Sequence, residues 1–483
     1  MAARTGEQYK AGLKDGRCIW LGNKEVDILE DPRLAGSIEG MAGYFDWQHR
    51  FAEDCLTENP ETGELMTASL IQPRNREDLE RRGRCFDRLA RYSYGMLGRT
   101  PDYVNITLAG FVMRSDIYHA YGHGDWAENL KRFWSEVAER DLSLTHTIIQ
   151  PAIDKSIGDL AGINGEIALR VVKRNKDSVI VRGAKILATL GPFADELYVY
   201  PASPILGGAS PDHAISFSVP VGTKGLITVC RDHYGVDADL RDKPFSSRFD
   251  EQDAFVIFDD VEVPIERVFI DGDVDFYNKT LTHGWYGNVT HQTATRAAVK
   301  LEFAYDLCTQ MARITNAEKR PEVTVMLGEI WSYAALTRGA IRAGIDNARD
   351  YGNGAWFLDE RPMRAIAAMM PQWMVRVNDI IKTLGSHNLL ATPSLSAFEN
   401  PEMADMLRRY MPAATGDYTA EQRSQIFRTA WDFVGSALGG RTELYERFYL
   451  ASQPRNLMMA HMNAQQTEQW TQVQDFLRES GIS

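Results

Sequence analysis

The sequence predicts an α+β protein, mainly α, in which a helical domain precedes a middle antiparallel β domain and a helical bundle follows it. Three observations predict this order: apolar residues recur at helical spacing up to residue 140, short β-branched runs follow to residue 275, and helical periodicity returns after residue 290. A chain of 483 residues is long enough for two or three domains. We expect domains at 1–140, 141–275 and 276–483, the last ending in a tail.

The first segment is predicted to be mainly helical. In "REDLERRGRCFDRLARYSYGML", helical spacing places Leu79, Cys85, Leu89 and Tyr92 near one another. The basic run at 81–84 in the same stretch is typical of a solvent-exposed helix face. Because the net charge is −13 and Lys and Arg are not gathered into one patch, we expect no nucleic-acid partner.

The middle segment is predicted to form a set of strands. Its runs are "SVIVRG", "ELYVYP", "AISFSVPV", "GLITVC" and "AFVIFDDVEVP", each bounded by turn residues. A loop rich in Gly and Pro, "SPILGGASPDH", separates two of them. This pattern is typical of an antiparallel β domain.

Helical periodicity in the last segment predicts a bundle. One apolar stripe contains Val299, Phe303, Leu307, Met311 and Ile314. We interpret it as core or subunit interface in preference to a cofactor contact. The helical, β, helical order without repeats predicts one compact body with a cleft between its layers.

Absent motifs narrow the chemistry. The N-terminus lacks the apolar stretch of a signal peptide and no segment is apolar enough to span a bilayer, so we expect a cytoplasmic protein with no membrane partner. Five scattered cysteines without a C-x-x-C pair predict reduced thiols. His119 and His123 are four residues apart, but Gly122 and Gly124 favour a loop over a metal site. The usual dinucleotide, phosphate-loop, zinc-protease and serine-hydrolase motifs are missing.

Three segments are candidates for a site. In "SYGMLGRTPDYVN", Gly98 and Pro101 bracket a turn that holds Arg99 and Tyr103 close together. In "DLSLTHTIIQP", His146 is flanked by hydroxyl side chains. The third pairs "KILATLGPFADELYVYP" with "GGRTELYERFYLASQPRN", whose glycines and hydroxyls allow close approach of backbone to a ligand. Taken singly, these segments also fit a surface ion pair, a buried core histidine and ordinary turns.

In combination and in this order, the segments resemble the 4-hydroxyphenylacetate 3-monooxygenase large-component family of reduced-flavin-dependent phenol hydroxylases. The resemblance runs from "RTGEQYKAGLKDGR" through "FSSRFDEQDAFVIFDDVEVPIERVFI" to "WDFVGSALGGRTELYERFY". It implies an acyl-CoA-dehydrogenase-like fold with a C-terminal four-helix bundle, assembled as a homodimer or homotetramer. It also implies an oxygenase that hydroxylates a phenol ortho to its hydroxyl group with FADH2 and O2, via a flavin C4a-hydroperoxide. A separate NAD(P)H:flavin reductase would supply the FADH2.

The resemblance also implies site residues. The substrate-side triad falls on Arg99, Tyr103 and His146, with Thr100 beside it. The loop "SPILGGASPDH" is similar to the family's lid over the substrate, which would place Ala202 and Ser203 beside the ring. The implied contacts to FAD are His146, Thr147, Ala152, Ile153, Asp154, Lys155, Thr189, Ala451, Ser452, Gln453 and Pro454. The stretch "DKSIGDLAGING" matches the family poorly, and "LASQP" lacks a glycine that several relatives have.

Phenol chemistry explains why such residues are needed. A phenol is nucleophilic at its ortho carbon mainly as the phenolate, and its pKa of about 10 leaves roughly 4 kcal/mol to be supplied near pH 7. Arg99 offers a permanent charge and forked donors to the substrate oxygen, while Tyr103 and His146 can donate to it or accept from it.

Two alternatives remain open from the sequence. One is a CoA-ester dehydratase or dehydrogenase of the same fold. The iron-sulfur cluster of such a dehydratase needs cysteine ligands, yet "GRTPDY" has none, and the sequence after His291 has no cysteine before Cys308. The other alternative is a non-catalytic protein that stores flavin.

Overall fold

The computed structural model describes residues 3–151, 153, 165–202, 204–205, 210–236, 239–282, 284–448 and 451–481. Its helices are α1 (Gly6–Gly12), α2 (Ala35–Arg50), α3 (Ala52–Cys55), α4 (Arg76–Tyr92), α5 (Pro101–Met113), α6 (Ser115–Ala120), α7 (Gly124–Arg140), α8 (Val274–Lys279), α9 (Trp285–Ile314), α10 (Pro321–Asp346), α11 (Glu360–Ala391), α12 (Pro401–Tyr410), α13 (Ala420–Val434), α14 (Ala437–Arg447), α15 (Gln453–Thr467) and α16 (Gln472–Glu479). Its strands are β1 (Cys18–Leu21), β2 (Lys24–Glu25), β3 (Leu56–Glu58), β4 (Leu65–Thr67), β5 (Leu144–His146), β6 (Arg170–Arg174), β7 (Ser178–Thr189), β8 (Glu196–Val199), β9 (Ile215–Pro220), β10 (Leu226–Cys230), β11 (Asp253–Pro264), β12 (Val268–Asp271), β13 (Arg349–Asp350) and β14 (Trp356–Phe357).

Two sheets form the middle layer. One has the strand order β2-β1-β10-β11-β7-β6 and the other has the order β12-β9-β8-β5. The five predicted runs all lie on strands, namely β7 to β11, which confirms them. Most pairings are antiparallel as predicted, but β1 pairs in parallel with β10 and β5 in parallel with β8. The larger sheet thus takes two strands, β1 and β2, from the N-terminal, mainly helical part of the chain.

The sheets share one apolar core with the N-terminal helices. Phe217 on β9 meets Phe258 on β11 edge to face, with 5.9 Å between ring centres, and Val181 and Val256 belong to the same buried cluster. Phe45 on α2 also lies in this cluster. Burial of these side chains stabilises the layer because each removes a large apolar area from water.

The last part of the chain is the predicted helical bundle. Val299, Leu307, Met311 and Ile314 on α9 are buried and Phe303 is half-buried, so the predicted stripe is core. The cluster around it includes side chains from α10, α11 and α13.

Other expectations have mixed outcomes. The five cysteines are free thiols, as predicted.

His119 was expected in a loop but lies on α6. This short helix, "SDIYHA", is followed by Gly122, whose φ of +80° ends the helical conformation. His123 follows that turn and contacts Asp273, with 2.8 Å between Nε2 and Oδ2. No helix in the described part of the chain is long and apolar enough to cross a membrane.

Candidate active site

The turn before α5 carries Arg99 into the interior. Thr100 is the buried N-cap of α5 and Pro101 occupies its first position, where a missing N–H costs nothing. Only glycine fits at position 98, because a Cβ there would lie 2.6 Å from the ring of Tyr445. The backbone N–H groups of Gly98 and Arg99 both donate to one oxygen of Glu251, so the turn has a fixed backbone.

The structure brings the three triad residues together. The guanidinium carbon of Arg99 lies 4.0 Å from the centre of the Tyr103 ring. The Tyr103 ring is 5.2 Å from the His146 ring, and the latter is 5.5 Å from the Tyr200 ring. A half-buried cation thus caps a stack of three polar aromatic side chains.

Burial sets the charge states in this stack. It lowers the pKa of His146 to about 3, helped by the nearby Arg99 charge, so the imidazole is neutral. Its Nδ1 has no hydrogen-bond partner among the described residues. Burial disfavours the charge on Arg99, but the oxygens of Tyr445 and Tyr103 outweigh this cost and raise the pKa of Arg99. Burial also raises the pKa of Tyr200, which therefore keeps its proton.

The residues that follow β5, together with residues on β7, fit a flavin ring. The hydroxyl of Thr147 is fully buried and has no hydrogen-bond partner in the described part of the chain. Beyond it, Ile149, Ile186 and Leu187 are 45%, 42% and 44% exposed. Exposed apolar side chains beside a free buried hydroxyl match the flat ring and polar edge of isoalloxazine. Thr189, also expected to contact flavin, is buried at the end of β7.

The structure describes only some of the other residues that were expected to contact substrate or flavin. Ala152, Asp154, Lys155 and Ser203 lie outside the described residues. Ala202 is half-buried, and Ile153 is 64% exposed.

The segment from Ala451 to Pro454 starts α15 and packs on α11. Gln453 Nε2 donates to the Ala368 carbonyl at 3.3 Å. Among described residues, no hydrogen bond joins this segment to β5 or β7. Its contact with flavin stays a prediction.

Sequence reasoning missed four residues near the triad: Tyr200, Glu251, Arg441 and Tyr445. Glu251 and Arg441 lie inside the motifs that carry the resemblance, "FSSRFDEQDAF" and "GGRTELYERFY". The acidic residues just before a buried strand were a usable signal, because buried carboxylates require partners.

Lys185 is a further buried charge beside the site. It is only 2% exposed, and its Nζ donates to the carbonyl of Ile148 at 3.2 Å. Burial lowers its pKa to about 7. Alternation along β7 puts Lys185 on the same face as the buried Val179 and Val181.

Comparisons with known proteins identify the family. Family profiles described as 4-hydroxyphenylacetate 3-hydroxylase N terminal and C terminal match residues 5–270 and 277–478. The 4-hydroxyphenylacetate 3-monooxygenase oxygenase component of Geobacillus sp. (strain PA-9) is 31% identical in an alignment that covers 99% of this chain and 97% of that protein.

Solved structures support the same assignment. The oxygenase component of 4-hydroxyphenylacetate 3-monooxygenase, crystallised with FAD and 4-hydroxyphenylacetate, is 30% identical with a TM-score of 0.92 over 99% of both chains. A 4-hydroxybutyryl-CoA dehydratase from N. maritimus, 17% identical with a TM-score of 0.87 over 100% of this chain and 95% of that one, shares the fold. The fold that the resemblance implies is confirmed, since these oxygenase components have the same fold. The chain belongs to the 4-hydroxyphenylacetate 3-hydroxylase family.

Proposed function

We propose that this chain is the oxygenase component of a two-component flavin monooxygenase that hydroxylates a phenol ortho to its hydroxyl group, using FADH2 and O2. The observation that carries the proposal is the stack of Arg99, Tyr103 and His146. It combines a fixed positive charge with neutral hydrogen-bonding rings in a largely buried position. This is the arrangement needed to hold a phenol oxygen while negative charge develops on it.

Each triad residue has a distinct role in this mechanism. Arg99 donates to the phenol oxygen and stabilises its developing charge, since a guanidinium keeps its proton throughout. The pKa of the His146 imidazole is lowered to about 3, so the ring is neutral near pH 7. We assign it to orienting the substrate through hydrogen bonds. Tyr103 contacts both of these side chains and donates to or accepts from the same oxygen.

The chain also shapes the cofactor position. Reduced flavin, when bound, supplies the electrons that activate O2. Thr147 and Thr189 would hold the polar edge of the ring, and Ile149 with Leu187 would cover its apolar surface and exclude water. A separate NAD(P)H:flavin reductase is the partner that this chemistry requires.

The substrate class follows from the relatives. They are named for 4-hydroxyphenylacetate, so that phenol is the first substrate to test on this chain. The dehydratase alternative has less support, because the cluster-binding cysteines it would need are missing from the "GRTPDY" turn. A cytoplasmic location fits the proposal and stays a prediction.

An exposed apolar face supports assembly from identical subunits. On α10, Trp331 and Leu336 are 58% and 57% exposed, and the small residues Ala335 and Gly339 lie on the same helix. Met369 on α11 is 37% exposed. Because soluble proteins rarely leave such surface open, we propose that this α10–α11 face is a subunit contact in a homodimer or homotetramer.

Isotope labelling tests the proposed activity. The chain is incubated with 4-hydroxyphenylacetate, FADH2 generated by a flavin reductase, and ¹⁸O2. We expect a catechol product that contains one ¹⁸O atom, and none from an Arg99→Ala variant. A labelled product at equal yield in both proteins would remove Arg99 from the mechanism. Loss of water from an added hydroxyacyl-CoA ester, with no labelled catechol from the phenol, would favour the dehydratase alternative.

A further inference from the structure

Glu251 fixes the turn that carries Arg99. Its carboxylate is fully buried, and Oε1 accepts hydrogen bonds from the backbone N–H groups of Gly98 and Arg99, each at 2.6 Å. The other oxygen accepts a hydrogen bond from Nη1 of Arg441 at 2.7 Å. Charge-assisted bonds from two successive N–H groups hold the backbone tightly at that point. The direction in which the Arg99 side chain leaves the turn therefore depends on Glu251.

Arg441 joins Glu251 to a second carboxylate. Its Nη2 and Nε donate to the two oxygens of Asp253 at 2.7 and 2.9 Å. Burial disfavours the charge on Arg441, but Asp253 and Glu251 outweigh that cost and raise its pKa. A forked guanidinium can hold both carboxylates in one geometry, whereas an ammonium group has no such fork.

Asp253 carries the connection to the proposed flavin side. Thr189 Oγ1 donates to Asp253 Oδ1 at 2.9 Å, and the two residues face each other where β7 pairs with β11. The carbonyl of Thr189 accepts a hydrogen bond from the hydroxyl of Thr145, which directly precedes His146. An unbroken chain of hydrogen bonds thus connects the Arg99 turn with Thr189.

We propose that Glu251, Arg441 and Asp253 are positioning residues that fix the distance between the phenol and the flavin ring. The inference rests on the proposed function and names a device within the same site. We call Glu251, Arg441 and Asp253 the relay. Arg99, at one end of the relay, holds the phenol oxygen, and Thr189, at the other end, holds the flavin edge. Hydroxylation needs the two reactants aligned, and a displacement of about 1 Å can cost roughly 100-fold in rate.

The energetics favour a positioning role over a purely stabilising one. Buried ion pairs often contribute no more to stability than well-packed apolar side chains would, because the charges must first leave water. This relay joins chain segments around residues 98, 189, 251 and 441, which come from separate elements of the fold.

Coupling of flavin oxidation to product formation tests the relay. The variants are Glu251→Gln, Arg441→Met and Arg441→Lys, measured for phenol KM, kcat and product formed per FADH2 consumed. We expect Glu251→Gln and Arg441→Met to lower the coupled fraction and raise phenol KM by about tenfold or more. Arg441→Lys keeps the charge without the fork, and we expect an intermediate loss.

A matched control separates positioning from general destabilisation. Asp432 is also fully buried and accepts two successive backbone N–H groups, those of Phe245 and Ser246, at 2.8 and 2.9 Å. It takes no part in the relay. Asp432→Asn should lower the melting temperature as Glu251→Gln does while leaving coupling and KM unchanged. Equal effects of the two variants on coupling, or none from Glu251→Gln, would overturn the inference.

A double-mutant cycle on FAD affinity tests the relay without catalytic turnover. Dissociation constants for oxidised FAD are measured for Thr189→Val, Glu251→Gln and the double variant. Because the two residues are linked through Arg441 and Asp253, we expect non-additive effects of at least about threefold. Additive effects would contradict a relay. If the effects of the variants on FAD affinity are non-additive but the unaltered chain forms no hydroxylated product, the proposed function fails and the coupling between the two residues stands.

Discussion

The guanidinium of Arg99 lies over the face of the Tyr103 ring, 4.0 Å from its centre. This contact places a permanent cation beside a tyrosine that is only 3% exposed, and the neutral His146 ring lies 5.2 Å from the tyrosine ring. Because water is largely excluded here, the field of the cation acts strongly on any group bound between these side chains.

Loss of the Arg99 charge should impair catalysis more than flavin binding. We expect Arg99→Ala to lower kcat/KM for the phenol by about 100-fold or more, which is typical for removal of a donor to a developing oxyanion. Arg99→Lys, which keeps the charge but loses the fork, should retain part of the activity. FAD affinity, measured by equilibrium dialysis, should change little in both variants. A parallel loss of FAD affinity would instead assign Arg99 to the cofactor.

The His146 imidazole should stay neutral throughout the working pH range. Its pKa is lowered to about 3 in the folded chain, so the unfolded chain binds this proton first as the pH falls below 6.5. Acidification from pH 6.5 towards 4 should therefore destabilise the protein more than it destabilises His146→Asn. The ¹⁵N chemical shifts of the ring should remain those of a neutral imidazole at pH 5. Protonated-ring shifts at pH 6 would contradict the assigned role.

Glu196 should make stability depend on pH in the opposite direction. Burial raises its pKa from 4.5 to about 7, although Arg267 and Ser218 partly oppose the shift. Between these two values the folded chain binds a proton that the unfolded chain has released, so stability falls as the pH rises. The loss should approach about 3 kcal/mol between pH 4.5 and 8. Urea unfolding of Glu196→Gln across this range should lack that decline, and an unchanged slope would rule out Glu196 as its source.

A charge placed on the α10–α11 face should break subunit contacts. We expect Leu336→Glu to reduce the assembled mass measured by light scattering after size exclusion. Leu240 is 51% exposed on a loop and provides the control, since Leu240→Glu adds the same charge to a similarly exposed leucine. The same reduction in both variants, or none in Leu336→Glu, would argue against this face as the contact.

Local patterns predicted much of the fold. Short β-branched runs bounded by turn residues identified the strands β7 to β11, and helical spacing identified the buried face of α9. The parallel pairing of β1 with β10 could not be predicted in this way, because the partners Cys18 and Ile227 are far apart in sequence. Pairing over such distances depends on how the whole layer packs.

The candidate site was predictable only in part. Arg99, Tyr103 and His146 follow from the resemblance, and the structure places them in contact. Glu251 and Arg441 were quoted within motifs but given no role, because their ion pair joins residues 190 positions apart. A sequence shows that a carboxylate is present, whereas only the fold shows which cation it meets.

Rapid mixing of the chain with FADH2 and O2 tests the central claim most directly. The purified protein is loaded with FADH2 without oxygen, mixed with oxygenated buffer and followed by absorbance. We predict a transient band distinct from both reduced and oxidised flavin, which decays faster when 4-hydroxyphenylacetate is present and yields hydroxylated product. If bound flavin oxidises at the rate of free flavin with no transient and no product, the chain is not an oxygenase of this kind.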